Sequence, residues 1–147
     1  MTKLSGLSKQ EAYDLLPDNP IFIAYRGSIS HGTYVPQDDN AIDDKDIIGV
    51  YVEDLPHYIG LGRSEHKEVK IGCWDAVSYE IRKLCRLLMK SNPNVIEMLW
   101  VDESKVIYNT VWGRQLRSCR DLFATKAVYH SFTGYAYSQL KKMGAGS

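Results

Sequence analysis

The sequence has few cysteines, no net charge and no long apolar run. Its three cysteines, Cys73, Cys85 and Cys119, are an odd number without paired spacing, which is typical of reduced thiols in a cytoplasmic protein and not of a disulfide framework or a zinc site. The 18 basic residues balance the 18 acidic ones, so no global field indicates a nucleic acid or a membrane, although a local patch could hold a polyanion. No stretch has the length of a signal peptide's apolar core or of a transmembrane helix. The 147 residues predict one soluble cytoplasmic domain.

Two aspartates, Asp44 and Asp46, stand at the entrance of an apolar run of strand length, Ile47–Val52. Because side chains alternate across a strand, residues two apart share a face, and both carboxylates can close on one cation. A carboxylate pair with open positions suits magnesium that carries phosphates. An acidic cluster in a loop is more often only a solvated turn. The interpretation of this pair as metal ligands therefore depends on the neighbouring motifs.

A glycine-serine pair follows the preceding strand-like run, Ile21–Tyr25. Gly27 lets the backbone approach a ligand closely, and Ser28 offers a hydroxyl and an amide to a phosphate oxygen. Arg26 is a further candidate for a phosphate contact, with solvation at a strand end as the alternative. A strand, a Gly-Ser turn and Asp-x-Asp on the next strand together predict a site for a metal-bound nucleoside triphosphate.

One signature joins Gly27-Ser28 to Asp44–Val50. A Gly-Ser pair followed by Asp-x-Asp at the start of a strand resembles the signature of the DNA polymerase β-like nucleotidyltransferases, most of all their small bacterial and phage members. The similarity continues through Ser78–Trp100 and Tyr135–Lys142. It implies transfer of a nucleoside monophosphate from an NTP to an acceptor hydroxyl, with two magnesium ions and with release of pyrophosphate. The acceptors that it implies are RNA and tRNA ends, proteins and small molecules, and it also implies a further helical portion beyond this chain.

The resemblance implies a third metal-binding carboxylate on a neighbouring strand. Asp75, near the start of a predicted strand, is the first choice. Glu80 is the alternative, although the dipole at the start of the next helix would also explain an acid there. Arg82 and Lys83, in the first turn of that helix, could reach a triphosphate or an RNA backbone, and the alternative for both is a solvated helix face.

The order of the predicted elements indicates an α+β fold. About the first 80 residues are strand-rich, with a loop or irregular segment over Glu53–Gly62, and the remainder to residue 147 is predicted to be helical. The predicted helices run from Ser78 or Tyr79 to about Lys90, from Asn92-Pro93, from Thr110, and over Val128–Lys142. We expect a small mixed, twisted sheet with a helical C-terminal half.

Two functions of other classes compete with the enzyme. A nucleotide-binding or regulatory module would keep the fold without turnover. An interaction domain, such as one half of a toxin–antitoxin-like pair, would use its acids structurally. Metal-dependent NTP binding separates the interaction domain from the other two, and label transfer to an acceptor separates the enzyme from the silent module.

Overall fold

The computed structural model describes residues 14, 16, 19–27, 45–61, 66–71 and 74–145, and five strands within them form one sheet. The strands are β1 (Pro20–Tyr25), β2 (Lys45–Tyr51), β3 (His66–Ile71), β4 (Trp74–Glu80) and β5 (Val106–Asn109). They lie in the order β3-β4-β2-β1-β5. Strands β2 and β4 are parallel, and the other neighbours are antiparallel. The sheet is therefore mixed, as the sequence predicts.

The helices of the described chain are mostly short and lie mainly after the fourth strand. They are α1 (Leu55–Ile59), α2 (Ile81–Met89), α3 (Pro93–Ile96), α4 (Val111–Ser118) and α5 (Lys126–Ala145), with 3₁₀ turns at Glu97–Trp100, Glu103–Lys105 and Arg120–Phe123. The predicted caps form: the Asn92 side chain accepts a hydrogen bond from the Asn94 amide, and Thr110 accepts one from Gly113. The α+β fold class is confirmed. Among the described residues, no helix is both long enough and apolar enough to span a membrane.

The main core lies between one face of the sheet and the helices that follow β4. Because side chains alternate along a strand, Ile48 and Val50 of β2 point into this core, whereas Ile47 packs on the opposite face. The helical side contributes Leu84 and Leu88 of α2, and also buried residues of α3 and the 3₁₀ turn after it: Val95, Ile96, Met98 and Leu99. The apolar sequence of this segment predicts burial, which holds for these four residues, whereas Trp100 at its end is exposed.

A second, smaller cluster covers the other face of the sheet. Leu16 packs there against Ile23, Ile47, Ala76 and Ile107. Both faces of the central strands are therefore buried, which agrees with the nearly continuous apolar runs of β1 and β2.

Three predictions about secondary structure were wrong. Val106–Asn109 forms strand β5 inside the half that was predicted to be helical, because it pairs with the free edge of β1. A short helix, α1, occupies part of the predicted loop Glu53–Gly62. Helix α2 begins at Ile81 rather than at Ser78 or Tyr79, since β4 keeps its pairing with β2 as far as Glu80. Long-range pairing decides the first and third cases.

Candidate active site

Two carboxylates meet on the main-core face of the sheet, at the end where β2 and β4 begin. The parallel register places Asp46 directly opposite Asp75. Residues paired in this way share a face of the sheet, and both aspartates line the same cleft. Each is partly exposed, so a ligand in the cleft can reach its oxygens. Of the acids that the sequence singles out, the structure brings these two together.

The turn after β1 closes on the Asp46 carboxylate. Gly27 has a φ of +62°, in the left-handed region that favours glycine. A Cβ added at Gly27 would lie 2.8 Å from Oδ2 of Asp46, so only glycine lets the turn pass this close. The Arg26 amide donates to the Asp46 backbone carbonyl at 3.0 Å, which extends the β1–β2 ladder to the turn. The turn is therefore joined to Asp46 by a backbone hydrogen bond and passes close to its carboxylate.

The cleft has a volume of about 1240 Å³ and two chemically different walls. Its sheet wall carries charged residues, namely Arg26, Asp46, Glu68 and Asp75. Its helical wall is mainly apolar and aromatic and includes Pro93, Ile96, Met98, Trp100, Val128, Phe132 and Tyr135, but it also carries the carboxylates of Glu97 and Asp102. Pockets for small ligands commonly measure roughly 300–1,000 Å³. At about 1240 Å³ this cleft lies above that range.

Two cleft residues, Tyr79 and Glu68, were missed by the sequence analysis. Tyr79 lies on β4 with Asp75, and it lines the cleft together with Arg26 and Glu68. Burial and the nearby Glu68 carboxylate raise the pKa of Tyr79, and the positive charge of Arg26 opposes the rise. The phenol therefore stays neutral at physiological pH. The alternation of Asp75, Val77 and Tyr79 along a longer strand would have indicated that Tyr79 shares the face of Asp75.

The match of nearly the whole chain to one family decides its classification. Residues 3–147 match the RlaP family, described as the RNA repair pathway DNA polymerase beta family. The chain belongs to this family. The resemblance to polymerase β-like nucleotidyltransferases is thereby confirmed, and it covers the Gly27 turn and both cleft aspartates.

A relative outside the bacterial and phage proteins is also similar to this RlaP-family chain. Over 128 residues it is 30% identical to an uncharacterized protein of Methanocaldococcus jannaschii, and the match covers 84% of this chain and 49% of that protein. The chain therefore spans about half the length of that relative. No solved structure matches the chain.

Glu80, the alternative third acid, lies in a different environment in this RlaP-family protein. It stands opposite Tyr51 in the β2–β4 register, at the other end of the strand from Asp75 and on the opposite face. Its side chain is fully buried. One oxygen accepts from the Tyr58 hydroxyl at 2.7 Å, and the other faces the Arg82 Nε at 3.4 Å. These contacts are those of a structural carboxylate.

Arg82 and Lys83 lie in the first turn of helix α2, and neither is among the described residues that line the cleft. The Arg82 guanidinium packs over the Tyr58 ring, 4.5 Å from its centroid, in addition to its contact with Glu80. Arg82 thus contacts Glu80 and Tyr58, which form a buried network behind the sheet, on the face opposite the cleft. It does not contact the two aspartates.

Two predicted site residues, Asp44 and Ser28, lie outside the described residues. Within the described ranges no group of three His, Cys, Asp or Glu side chains is arranged to hold a metal ion. The predicted metal set of Asp44, Asp46 and Asp75 therefore has two described members, and these two are register partners.

Proposed function

We propose that this protein is a magnesium-dependent nucleotidyltransferase, which transfers a nucleoside monophosphate from an NTP to an acceptor hydroxyl and releases pyrophosphate. The observation that carries the proposal is the register pairing of Asp46 with Asp75 at the charged wall of a large cleft, beside the close turn at Gly27. Family membership supports the same reaction class. In this reaction the protein forms no covalent bond to the substrate, since positioning and charge neutralisation are sufficient.

The donor set fits magnesium. Hard oxygen ligands on adjacent strands, with open positions toward a cleft, suit an ion that also binds phosphates. Asp46 and Asp75 would hold the metal together with Asp44, and Asp75 is a better third ligand than Glu80, whose oxygens are engaged behind the sheet. Two bound ions would neutralise the triphosphate and lower the pKa of the attacking hydroxyl.

The turn after β1 would hold the triphosphate. Gly27 keeps the backbone open beside Asp46, Ser28 offers its hydroxyl and amide, and Arg26 supplies a positive charge at the cleft wall. We leave Arg82 and Lys83 out of this assignment. The Arg82 charge is already opposed by Glu80, and neither residue reaches the cleft lining.

The acceptor that the cleft suits best is an RNA end. The family description names an RNA repair pathway, and the cleft volume of about 1240 Å³ lies above the usual range for a pocket that holds one small ligand. Its helical wall carries Trp100 and Tyr135, both of which are partly exposed, and exposed aromatic rings are sequence-tolerant stacking surfaces for bases. A compact end is also compatible with a chain that has no net charge.

Calorimetry tests the nucleotide site without knowledge of the acceptor. Each NTP is titrated, with and without magnesium, into the wild type and into an Asp46→Asn, Asp75→Asn double variant, with Glu80→Gln as the matched control. We expect magnesium-dependent binding that the double variant loses and Glu80→Gln keeps. The absence of nucleotide binding in folded wild type would refute the proposal. Transfer of labelled nucleotide to an RNA end then distinguishes an enzyme from a silent nucleotide-binding module.

A further inference from the structure

Helix α2 and the turn after it are basic. The segment from Ile81 to Ile96 contains no aspartate or glutamate, and it contains four basic residues, Arg82, Lys83, Arg86 and Lys90. The chain as a whole has as many acidic as basic residues. The excess of positive charge is therefore a local property of this helix and does not follow from the composition of the chain.

Three of these residues, Lys83, Arg86 and Lys90, lie on one face of the helix, which we call the basic strip. They share this face because they are three and four residues apart, and they span about 10 Å along the helix axis. Leu84 and Leu88 are buried in the main core, whereas Arg86 and Lys90 are exposed and Lys83 is partly exposed. The basic strip therefore lies on the surface of the protein.

The charges of the basic strip are not compensated by the part of the protein that the structure describes. Arg82 faces the Glu80 carboxylate, but none of the three strip residues forms an ion pair with a described residue. Arg86 and Lys90 are four residues apart and repel each other, and Lys83 lies in the first turn, where the helix dipole disfavours a cation. Helix stability therefore does not account for the basic strip as a whole.

The basic strip ends at the rim of the cleft. Lys90 precedes the cleft residue Pro93 by three positions, so their Cα atoms lie at most about 11 Å apart. The Lys90 carbonyl accepts a hydrogen bond from the Ser131 hydroxyl of α5 at 3.3 Å. Tyr135, one turn after Ser131 in α5, also lines the cleft. Lys90 thus lies beside the two helices, α3 and α5, that contribute to the helical wall.

The cleft itself has little positive charge to offer a polyanion. Among its described lining residues, Arg26 is the only lysine or arginine, against five carboxylates, those of Asp46, Glu68, Asp75, Glu97 and Asp102. Metal ions would compensate the phosphates that lie beside the aspartates. The backbone of an RNA that leaves the cleft needs positive charge outside it, and the basic strip supplies such charge at the rim.

We propose that the basic strip binds the phosphate backbone of an acceptor RNA whose end lies in the cleft. This inference rests on the proposed function, because it takes an RNA end as the acceptor. Lysine and arginine neutralise phosphates without reading the bases. The basic strip therefore holds RNA without sequence preference and positions the strand, while the reaction takes place in the cleft.

Fluorescence anisotropy of a labelled single-stranded RNA, measured over a series of monovalent salt concentrations without magnesium or NTP, tests the basic strip. We expect Arg86→Gln, Lys90→Gln to bind about tenfold more weakly than the wild type at low salt. The slope of log affinity against log salt is expected to fall in magnitude by about 1.4, since each phosphate contact to a single strand contributes about 0.7. The matched control, Arg114→Gln, Lys142→Gln, removes one arginine and one lysine from exposed positions on α4 and α5. It is expected to keep the wild-type slope and to bind within about twofold of the wild type.

Calorimetry with magnesium and NTP separates this inference from the proposed function. The strip variant is expected to bind NTP like the wild type, because the basic strip lies outside the cleft lining. Equal losses of RNA binding in the strip and control variants would indicate a general effect of charge and would overturn the inference, as would wild-type-like RNA binding by the strip variant. In both cases the proposed function survives if NTP still binds. RNA binding through the basic strip without any NTP binding would refute the proposed function and leave the RNA surface.

Vesicles that contain an anionic phospholipid distinguish RNA from a membrane surface. We expect the wild type and the strip variant to bind them equally weakly. A loss that is confined to the vesicles, with RNA binding unchanged, would assign the basic strip to a membrane surface and overturn the inference.

Discussion

Asp75 and Glu80 are carboxylates on one strand, β4, yet they stand in opposite environments. Asp75 is partly exposed, faces Asp46 across the parallel register and lines the cleft. Glu80 is fully buried on the other face, where Tyr58 and Arg82 engage its oxygens. A metal ligand needs access and available lone pairs, whereas a buried charge needs partners. The comparison shows that neighbours and access, not residue type, distinguish a candidate metal ligand from a structural acid.

The arginines repeat the contrast. The Arg82 guanidinium packs over the Tyr58 ring and faces Glu80, whereas Arg26 lines the cleft on the other face of the sheet. Glu80 opposes the charge of Arg82, and one guanidinium nitrogen of Arg82 is buried without a hydrogen-bond partner among the described residues. Arg26 lines the cleft together with the carboxylates of Asp46, Glu68 and Asp75. The two arginines therefore lie on opposite faces of the sheet, in different charged surroundings.

Single substitutions of the two acids give the largest expected difference. Asp75→Asn removes a proposed metal ligand and is expected to weaken magnesium-dependent NTP binding by more than about a hundredfold. Glu80→Gln is expected to leave that binding within about twofold of wild type, because no part of it reaches the cleft. Calorimetry on both variants shows which of the two acids magnesium-dependent NTP binding requires. A reversal of the two outcomes would make Glu80 the third ligand.

Gly27→Ala is expected to have the next largest effect. The new Cβ would meet Oδ2 of Asp46 at 2.8 Å, at a residue whose φ is +62°. We expect about tenfold weaker magnesium-dependent NTP binding and a loss of about 1 kcal/mol in the free energy of unfolding. Gly134→Ala is the matched control: a Cβ there meets nothing within 4 Å in helix α5, so binding is expected to be unchanged. Normal binding by Gly27→Ala would show that the turn tolerates the displacement.

The free energy of unfolding reveals the role of Glu80. Glu80→Gln keeps the shape and can still accept from Tyr58, but it loses the charge opposite Arg82. We expect a loss of about 1 kcal/mol, since Arg82 is partly exposed and solvent screens the pair. Urea denaturation measures this. Asp75→Asn is the comparison, and its free energy of unfolding is expected to stay close to that of the wild type. A larger loss for Asp75→Asn than for Glu80→Gln would contradict the assignment of roles.

The sequence predicts those features of the fold and of the candidate site that depend on local residue patterns. The runs of β1 and β2, the Gly27 turn and the preference for Asp75 follow from strand alternation and from a recognised signature. Tyr79 and β5 do not follow, because each depends on pairing between segments far apart in the chain. Placing the start of α2 at Ser78 or Tyr79 also removed Tyr79 from the strand. That boundary concealed its shared face with Asp75.

The smallest expected effect is the change in the free energy of unfolding at alkaline pH, which depends on the contact between Tyr58 and Glu80. Burial and the hydrogen bond to Glu80 raise the pKa of Tyr58 above its ordinary value. The folded state therefore favours the protonated phenol, so its contribution to stability is complete below about pH 10 and is lost as pH rises through the raised pKa. We expect the free energy of unfolding, measured in urea from neutral to strongly alkaline pH, to fall less steeply in Tyr58→Phe than in the wild type.

The variants Glu80→Gln and Asp75→Asn test whether the fall of the free energy of unfolding with alkaline pH depends on Glu80 and not on Asp75. Because Glu80 is one cause of the raised pKa of Tyr58, Glu80→Gln is also expected to reduce the alkaline slope. Asp75→Asn is expected to leave it unchanged, since Asp75 lies on the other face. Tyr129→Phe, which removes the hydroxyl of an exposed tyrosine on α5, controls for the loss of a phenol. Equal slopes in the wild type, Tyr58→Phe and Glu80→Gln would show that the Tyr58–Glu80 contact does not couple folding to pH, and Glu80 would then stabilise the fold through Arg82 alone.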